Sequence, residues 1–321
     1  MRSANLWLLM IGGLLAMAAV PILLPWLQFA MTVAMAKGFA ALGVALLLRA
    51  GMISIGHALF IAVGAYSAAF IARNTGITDL ALILIGTVAI TAVVGAVTGA
   101  FMVRYRAIFF AMLNLAVSMV AFSLLSKLYR VTGGTDGLRV PVPTVFGVEL
   151  DKSTFDVILF YVALALIIAV GYLLHRYLKS PLGHALEAVH TNEVRLEYLG
   201  VSAWRVLLVA YTISAALAGL GGALTAVAVG HVLPEYAYWT ESGHLVLTAV
   251  LGGIGGVAGP FLGSIFLELV HKAAVGYAAD AWNMINGIAL LLVIFFLPRG
   301  LYGLIARRRA ARALLEEEDK Q

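Results

Sequence analysis

Cysteine is missing from all 321 residues, which excludes disulfides, thiol nucleophiles and cysteine-ligated metal sites. Charge is almost as scarce: Asp, Glu, Lys and Arg make up 12% of the chain against 63% hydrophobic residues, and the mean hydropathy is +1.01. Soluble domains carry about 25% charged residues, so this chain has too few to solvate a surface and reads as an integral membrane protein. The net charge of +5 would suggest nucleic-acid binding in a soluble protein; here it is a topology signal, and no nucleic-acid partner is expected. No stretch reads as a soluble domain or low-complexity linker, so 1–321 is expected to be a single transmembrane domain.

A helix needs about 20 apolar residues to cross a bilayer, and such runs lie near 6–27, 30–48, 56–72, 80–103, 107–129, 155–174, 206–229 and 281–298. A glycine-broken apolar stretch covers 244–272. The expected fold is all-α, a polytopic bundle of about eight to ten transmembrane helices. Arg2, the first apolar run and Ala34–Ala36 resemble a secretory signal, but the run is too long and another span follows at once, so cleavage is not expected.

Against this background SPLGHALEAVHTNEVRLEYLGVSAWR, Ser180 to Arg205, is a polar, charged and helical island. Taking it as cytoplasmic and alternating outward places Arg2, Arg49, Arg104, Arg106, Arg176, Lys179, Arg195 and Arg205 inside. With the basic tail, 299–321, fourteen of the 21 Lys and Arg are then cytoplasmic, as basic residues distribute in membrane proteins. Both termini are expected inside. That parity fails if 244–272 is one span, so LGGIGGVAGPFLG, Leu251 to Gly263, is read as a break between two short helices, either a re-entrant pair or two crossings. A faint likeness between Gly56–Ala65 and Gly255–Ser264 hints at the internal repeats transporters often contain.

Catalytic chemistry is not visible. No nucleophile stands with a general base, and no His, Asp and Glu set has metal-ligand spacing, so no catalytic or metal residue is expected. GGIGGVAG lacks the Lys-Ser or Lys-Thr of a phosphate loop and the strand-helix context of a dinucleotide site; any ATP must bind another chain. The ladders Gly95/Gly99, Gly252/Gly256 and Gly255/Gly259/Gly263 suit close helix packing. Ionisable groups within spans are few. Glu268 and Lys272 have the i,i+4 spacing of a helical ion pair, Lys37 lies inside the second span, and His57 and His231 fall near span ends, where solvated or capping roles are expected. Asn114 and Ser118 share a helical face, suited either to a polar path or to hydrogen bonding with a neighbouring helix. The lack of a charged relay favours an outside energy source over ion coupling.

Several strings, in order, resemble the LivM-type permease of branched-chain amino acid ABC importers: RAGMISIGHALFIAVGAYSAA (Arg49–Ala69), RYRAIFFAMLNLA (Arg104–Ala116), TGGTDGL (Thr132–Leu138), SPLGHALEAVHTNEVRLEYLG (Ser180–Gly200) and LGGIGGVAGPFLGS (Leu251–Ser264). The resemblance covers nearly the whole chain. It implies an ABC importer permease fold and makes 176–205 the cytoplasmic coupling loop, with Gly183, Glu187, Ala188, Asn192, Glu193, Arg195 and Gly200 engaging the ATPase. Candidate positions along the translocation path or its outer access are Ser54, Gly56, His57, Tyr66, Asn114, Ser118, Gly133, Gly134 and Asp136. Gly133, Gly134 and Gly137 permit a tight turn, which Asp136 can cap. The implied partners are a second permease of LivH type, ATPase subunits of LivG and LivF type carrying ATP and Mg, and an extracytoplasmic amino-acid-binding protein, all at a prokaryotic inner membrane. No cofactor is expected on this chain. His184 and His190 stand where the family often has arginine, and Asn114 where threonine is common. The implied solute is leucine, isoleucine, valine or a related neutral amino acid. Its rivals are urea or an amide and, in another class, an ion-coupled carrier acting alone.

Overall fold

The computed structural model describes residues 12–277, 284–285, 287–288, 291–292, 295 and 300–303. The expected span 6–27 falls partly outside them, as do most of 281–298 and nearly all of the tail 299–321. The described chain is a helix bundle: α1 Pro25–Arg49, α2 Ala58–Asn74, α3 Leu80–Met102, α4 Ala107–Lys127, α5 Lys152–Leu178, α6 Pro181–Tyr198, α7 Ala203–Val229, α8 Trp239–Gly252 and α9 Ala258–Tyr277. Among the described residues α1, α3, α4, α5 and α7 are long and apolar enough to cross a membrane, while α2 is shorter.

Local chemistry sets the helix limits. Pro25 and Pro181 occupy first-turn positions of α1 and α6, where a missing N–H costs nothing. Asp79, Asp151, Ser180 and Ser202 cap α3, α5, α6 and α7 by accepting amides of the first turn, which satisfies donors the helix leaves orphaned. Gly230, left-handed at φ 74, ends α7.

Helices α1 and α7 form the centre, buried over 89% and 72% of their most apolar windows, whereas α3, α4 and α5 are buried over 33%, 22% and 28% and turn the rest outward. Their outward side chains, among them Leu82, Ile85, Val97, Ile108 and Phe109, are what lipid would solvate. Helix α7 packs on α1, α2 and α3 through positions with no room for a side chain. A Cβ on Gly64 would stand 2.2 Å from the Gly219 carbonyl oxygen, and one on Gly222 2.1 Å from that of Ile61. The Gly95/Gly99 ladder works in the same way, against Ala215 and Tyr211.

The glycine-broken stretch is two helices. Segment Leu233–Tyr238 descends beside α4, where Ser118 Oγ donates to the Ala237 carbonyl at 2.8 Å. Helix α8 continues to Gly252, and α9 returns along α1, from Gly38 against Phe261 to Trp26 beside Lys272. Helix α9 therefore passes from the middle of α1 to the end where α1 begins. Residues 300–303 lie back at the break, with the Tyr302 ring over Gly255 and Gly256. A short two-stranded ladder, β1 Leu138–Arg139 with β2 His231–Val232, closes the opposite end.

One pairing differs from expectation. Glu268 does not bond Lys272, its i+4 neighbour; it pairs with Lys37 of α1 at 3.4 Å. Lys272 instead donates to the Trp26 carbonyl and sits 4.6 Å from that indole's ring centre. Packing of α9 on α1 offers both groups better partners than the helix surface does.

Candidate functional site

The island is a helix docked on the bundle. It folds because Ser180 caps it and because Gly183, Leu186, Val189 and Leu196 face inward at helical spacing. Gly183 must be glycine, since a Cβ there would lie 2.4 Å from the Leu178 carbonyl oxygen. Asn192 breaks the helix with extended backbone, φ −163 and ψ 98, and its Oδ1 accepts the Arg195 amide at 2.9 Å. The island is thus two helical pieces, the second capped by Asn192. At its end Gly200, φ 81, closes a Schellman motif: its amide donates to Glu197 and that of Val201 to Leu196.

Two arginines from the membrane helices hold the two pieces. Arg49, at the end of α1, meets Glu187 at 3.2 Å. Arg106, between α3 and α4, donates from Nε to Glu193 Oε2 at 2.9 Å and from Nη2 to Oε1 at 2.6 Å. Hydrogen bonding from Arg106, reinforced by its charge against partial burial, holds the Glu193 carboxyl below its ordinary value. Ala188 is half-buried, and His190 packs over Gly51. Val194, Arg195, Tyr198, Leu199 and Gly200 are exposed, with Tyr198 88% and Leu199 74% accessible. The residues expected to couple therefore divide: Glu187 and Glu193 grip the bundle, while Arg195 and the Tyr198–Leu199 tip face away.

At mid-bundle the chain between α1 and α2 is not helical, and four of the sequence candidates meet there. Ser54 and His57 are fully buried, and a Cβ on Gly56 would fall 2.1 Å from the Asn114 carbonyl oxygen. His57, expected to be solvated or capping, makes no cap bond. Its Nδ1 lies 2.8 Å from Ser54 Oγ and its Nε2 2.6 Å from Ser214 Oγ. Ser214 donates its one proton to the Gly43 carbonyl, which assigns the ring proton to Nε2 and makes Nδ1 the acceptor for Ser54. Asn114 Nδ2 donates to the Phe110 carbonyl, and its Oδ1 accepts from the Tyr211 hydroxyl at 2.6 Å. Phe60, Phe110 and His57 meet the Tyr211 ring edge to face. Tyr66 lies apart, on α2 beside Phe70, its buried hydroxyl without a hydrogen bond among the described residues. Ser118 is also separate, joined to Ala237.

Tyr211, Ser214 and Ser242, whose Oγ accepts the Ala58 amide, were not among the sequence candidates. The first two are three apart in a mostly apolar run, AYTISAALAGLGG, whose one other polar residue is Thr212, and that one-turn polar pair is the available signal.

At the opposite end Gly133, Gly134 and Gly137 all have positive φ. The turn amide of Gly134 goes to Thr132 Oγ1, not to Asp136. Asp136 instead accepts the Tyr129 hydroxyl at 3.0 Å, which raises that phenol above its ordinary value, and the Asp136 carbonyl meets His231 Nε2 at 2.9 Å. Beside this turn a cavity of about 490 Å³ is lined by Phe70, Arg73, Asn74, Tyr129, Arg130 and Gly133.

A family model described as the branched-chain amino acid transport system permease component matches residues 26–296. The chain belongs to this family. The permease is 31% identical to the high-affinity branched-chain amino acid transport system permease protein LivM of Salmonella typhimurium over 273 residues, 78% of this chain and 64% of that protein. Its likeness to LivM of Escherichia coli is 30% over 272 residues, with the same coverage. It is also 30% identical over 159 residues to the autoinducer 2 import system permease protein LsrC of Klebsiella pneumoniae, 47% of this chain and 45% of that one. The permease thus spans 64% of the length of its LivM relatives. No solved structure matches it.

Proposed function

We propose that this permease is a membrane subunit of an ABC importer that carries leucine, isoleucine, valine or a related neutral amino acid into a prokaryotic cell. The island end faces the cytoplasm, with both termini on that side, and the turn at 132–138 faces out. Partners supply the rest: a second permease of LivH type, LivG- and LivF-type ATPase subunits that bind ATP and Mg, and an external amino-acid-binding protein. The chain itself has no ATPase site and catalyses no reaction.

The observation that carries this reading is the clamped island. Arg49–Glu187 and Arg106–Glu193 tie it to the α1–α2 and α3–α4 junctions, so a force on its exposed Tyr198–Leu199 tip passes to the bundle as rigid-body motion. The Arg49 junction leads directly into the non-helical segment at His57. An ATPase that closes on ATP would thereby move the polar mid-bundle cluster.

The decisive experiment is uptake of labelled leucine by the complete transporter in liposomes. ATP-dependent leucine uptake, abolished by an inactive ATPase subunit, is expected. Uptake of urea or an amide in its place refutes the solute class; gradient-driven uptake by the permease alone refutes the ABC reading.

A further inference from the structure

From residue 30 to residue 47 every position of α1 is buried except Lys37. Lys37 stands twelve residues from each end of α1, about 18 Å at 1.5 Å per residue. Its partner Glu268 is just as central in α9, Ala258–Tyr277. The lysine side chain is 45% exposed and the glutamate 14%, so the pair opens on one side of the bundle, between the middle of α1 and its Pro25 end, since Ser264 meets Ala34 and Lys272 meets Trp26 on either side of Glu268. A charge facing lipid within the apolar length of a span costs up to about 2.5–3.5 kcal/mol on insertion scales, and the Lys37 ammonium reaches along α1 to Glu268. Water or a solute in the opening avoids that cost.

We propose that Lys37 and Glu268 form a recognition site for the charged head of a zwitterionic α-amino acid on its way through the membrane. The inference rests on the amino-acid reading above and sharpens it, because urea and simple amides offer no matching charges.

The chemistry is complementary. The pair is joined by a single contact, Lys37 Nζ to Glu268 Oε2 at 3.4 Å. An ammonium has three donors and a carboxylate two oxygens, so both groups keep capacity toward the opening. An amino acid brings a carboxylate for Lys37 and an ammonium for Glu268; each charge exchanges one partner for another and none is left bare. The site and the solute are both neutral overall, so loading it adds no net charge within the membrane. Ile265, one helical turn before Glu268 on α9 and partly exposed, supplies an apolar neighbour for an aliphatic side chain. Lys272 is already held by Trp26 and does not compete.

The test uses the complete transporter in liposomes, with Lys37→Met and Glu268→Met combined, and Glu268→Gln alone. An apolar pair of similar volume often replaces a structural ion pair without loss of stability, so the double variant separates packing from recognition. Both forms are expected to assemble, the double variant with an unchanged thermal midpoint, and to take up leucine at least tenfold more slowly than wild type. A smaller fall in the double variant overturns the proposal and leaves the pair a helix tie. If the double variant fails to assemble, Glu268→Gln decides on the same criterion. A wild-type transporter that carries no amino acid refutes the underlying function instead, a result visible before either variant is measured.

Discussion

Arg106 grips Glu193 in a fork, with bonds of 2.9 Å and 2.6 Å to the two carboxylate oxygens. The two residues are 87 positions apart, and the fork fixes the second piece of the island to the α3–α4 junction. Arg106 also donates to the carbonyls of Val103 and Tyr105, so the junction's own backbone is gathered into the same grip. A bidentate pair specifies orientation as well as proximity, which the coupling role proposed for the island requires.

Replacing Glu193 with Gln should loosen this grip by about 1 kcal/mol, the scale of a partly exposed ion pair. Membrane insertion should be unchanged while coupled uptake falls severalfold. Arg106→Lys should do nearly the same, since an ammonium cannot form the fork. Uptake per ATP hydrolysed is the measurement. Equal values in wild type and both variants would mean that the fork transmits nothing.

The same pair carries a pH signature. Because the folded-state carboxyl of Glu193 lies below its ordinary value, its contribution is fully present above about pH 4.3, the ordinary value for Glu. It is lost as pH falls through the lowered folded value. Hydrogen exchange of the island backbone should therefore be insensitive to this group between pH 5 and 8 and accelerate only in stronger acid. The Gln variant should lack that acid step.

Asn192 tests the two-piece island. Asn192→Ala removes the cap on the Arg195 amide and should cost about 1 kcal/mol locally, raising exchange in 193–198 while leaving 181–191 as it was. If both pieces respond together, the island moves as one helix and Asn192 is no joint.

Much of the bundle was legible because a bilayer reads composition, not geometry. The run expected at 80–103 is the helix Leu80–Met102, and that at 206–229 begins at Ala203, where Ser202 supplies a cap outside the apolar run. Partners across the bundle were not legible. Glu268 and Lys272 satisfied the local i,i+4 rule, yet Lys37, 231 positions away, takes the carboxylate because α9 lies on α1. His57 stands at the start of α2 yet is buried and makes no cap bond, for a related reason. Its neighbours in sequence suggested a span end, but the non-helical segment before α2 turns into the bundle and is covered by α4 and α7. Asn192 carries a sequence signal for the break, since a helix-interior Asn readily caps a following turn.

Glycine packing gives a prediction free of any assumption about solute. Gly64→Ala and Gly222→Ala each drive a methyl onto a backbone carbonyl at 2.2 Å and 2.1 Å, which backbone shifts can relieve only by parting α2 from α7. Each should cost at least the 1–3 kcal/mol of an overpacked core and lower the thermal midpoint of the purified complex. Gly243→Ala, on α8 with nothing within 4 Å of the added methyl, should be tolerated. Equal midpoints for all three would contradict the packing of α2 on α7.

Tyr211 and Asn114 separate scaffold from path. Tyr211→Phe leaves the Asn114 Oδ1 buried without its donor, a loss of about 1–3 kcal/mol. Removing both polar partners, as in Tyr211→Phe with Asn114→Leu, should recover much of that stability, because no buried acceptor is then stranded. A scaffold pair would regain transport along with its thermal midpoint. A pair that meets the solute would regain the midpoint and still carry leucine severalfold more slowly. Ser54, His57 and Ser214 gather on one side and Asn114 on the other, and each of the four side chains is hydrogen-bonded within the bundle. The expected result is therefore recovery of both, with uptake within twofold of wild type.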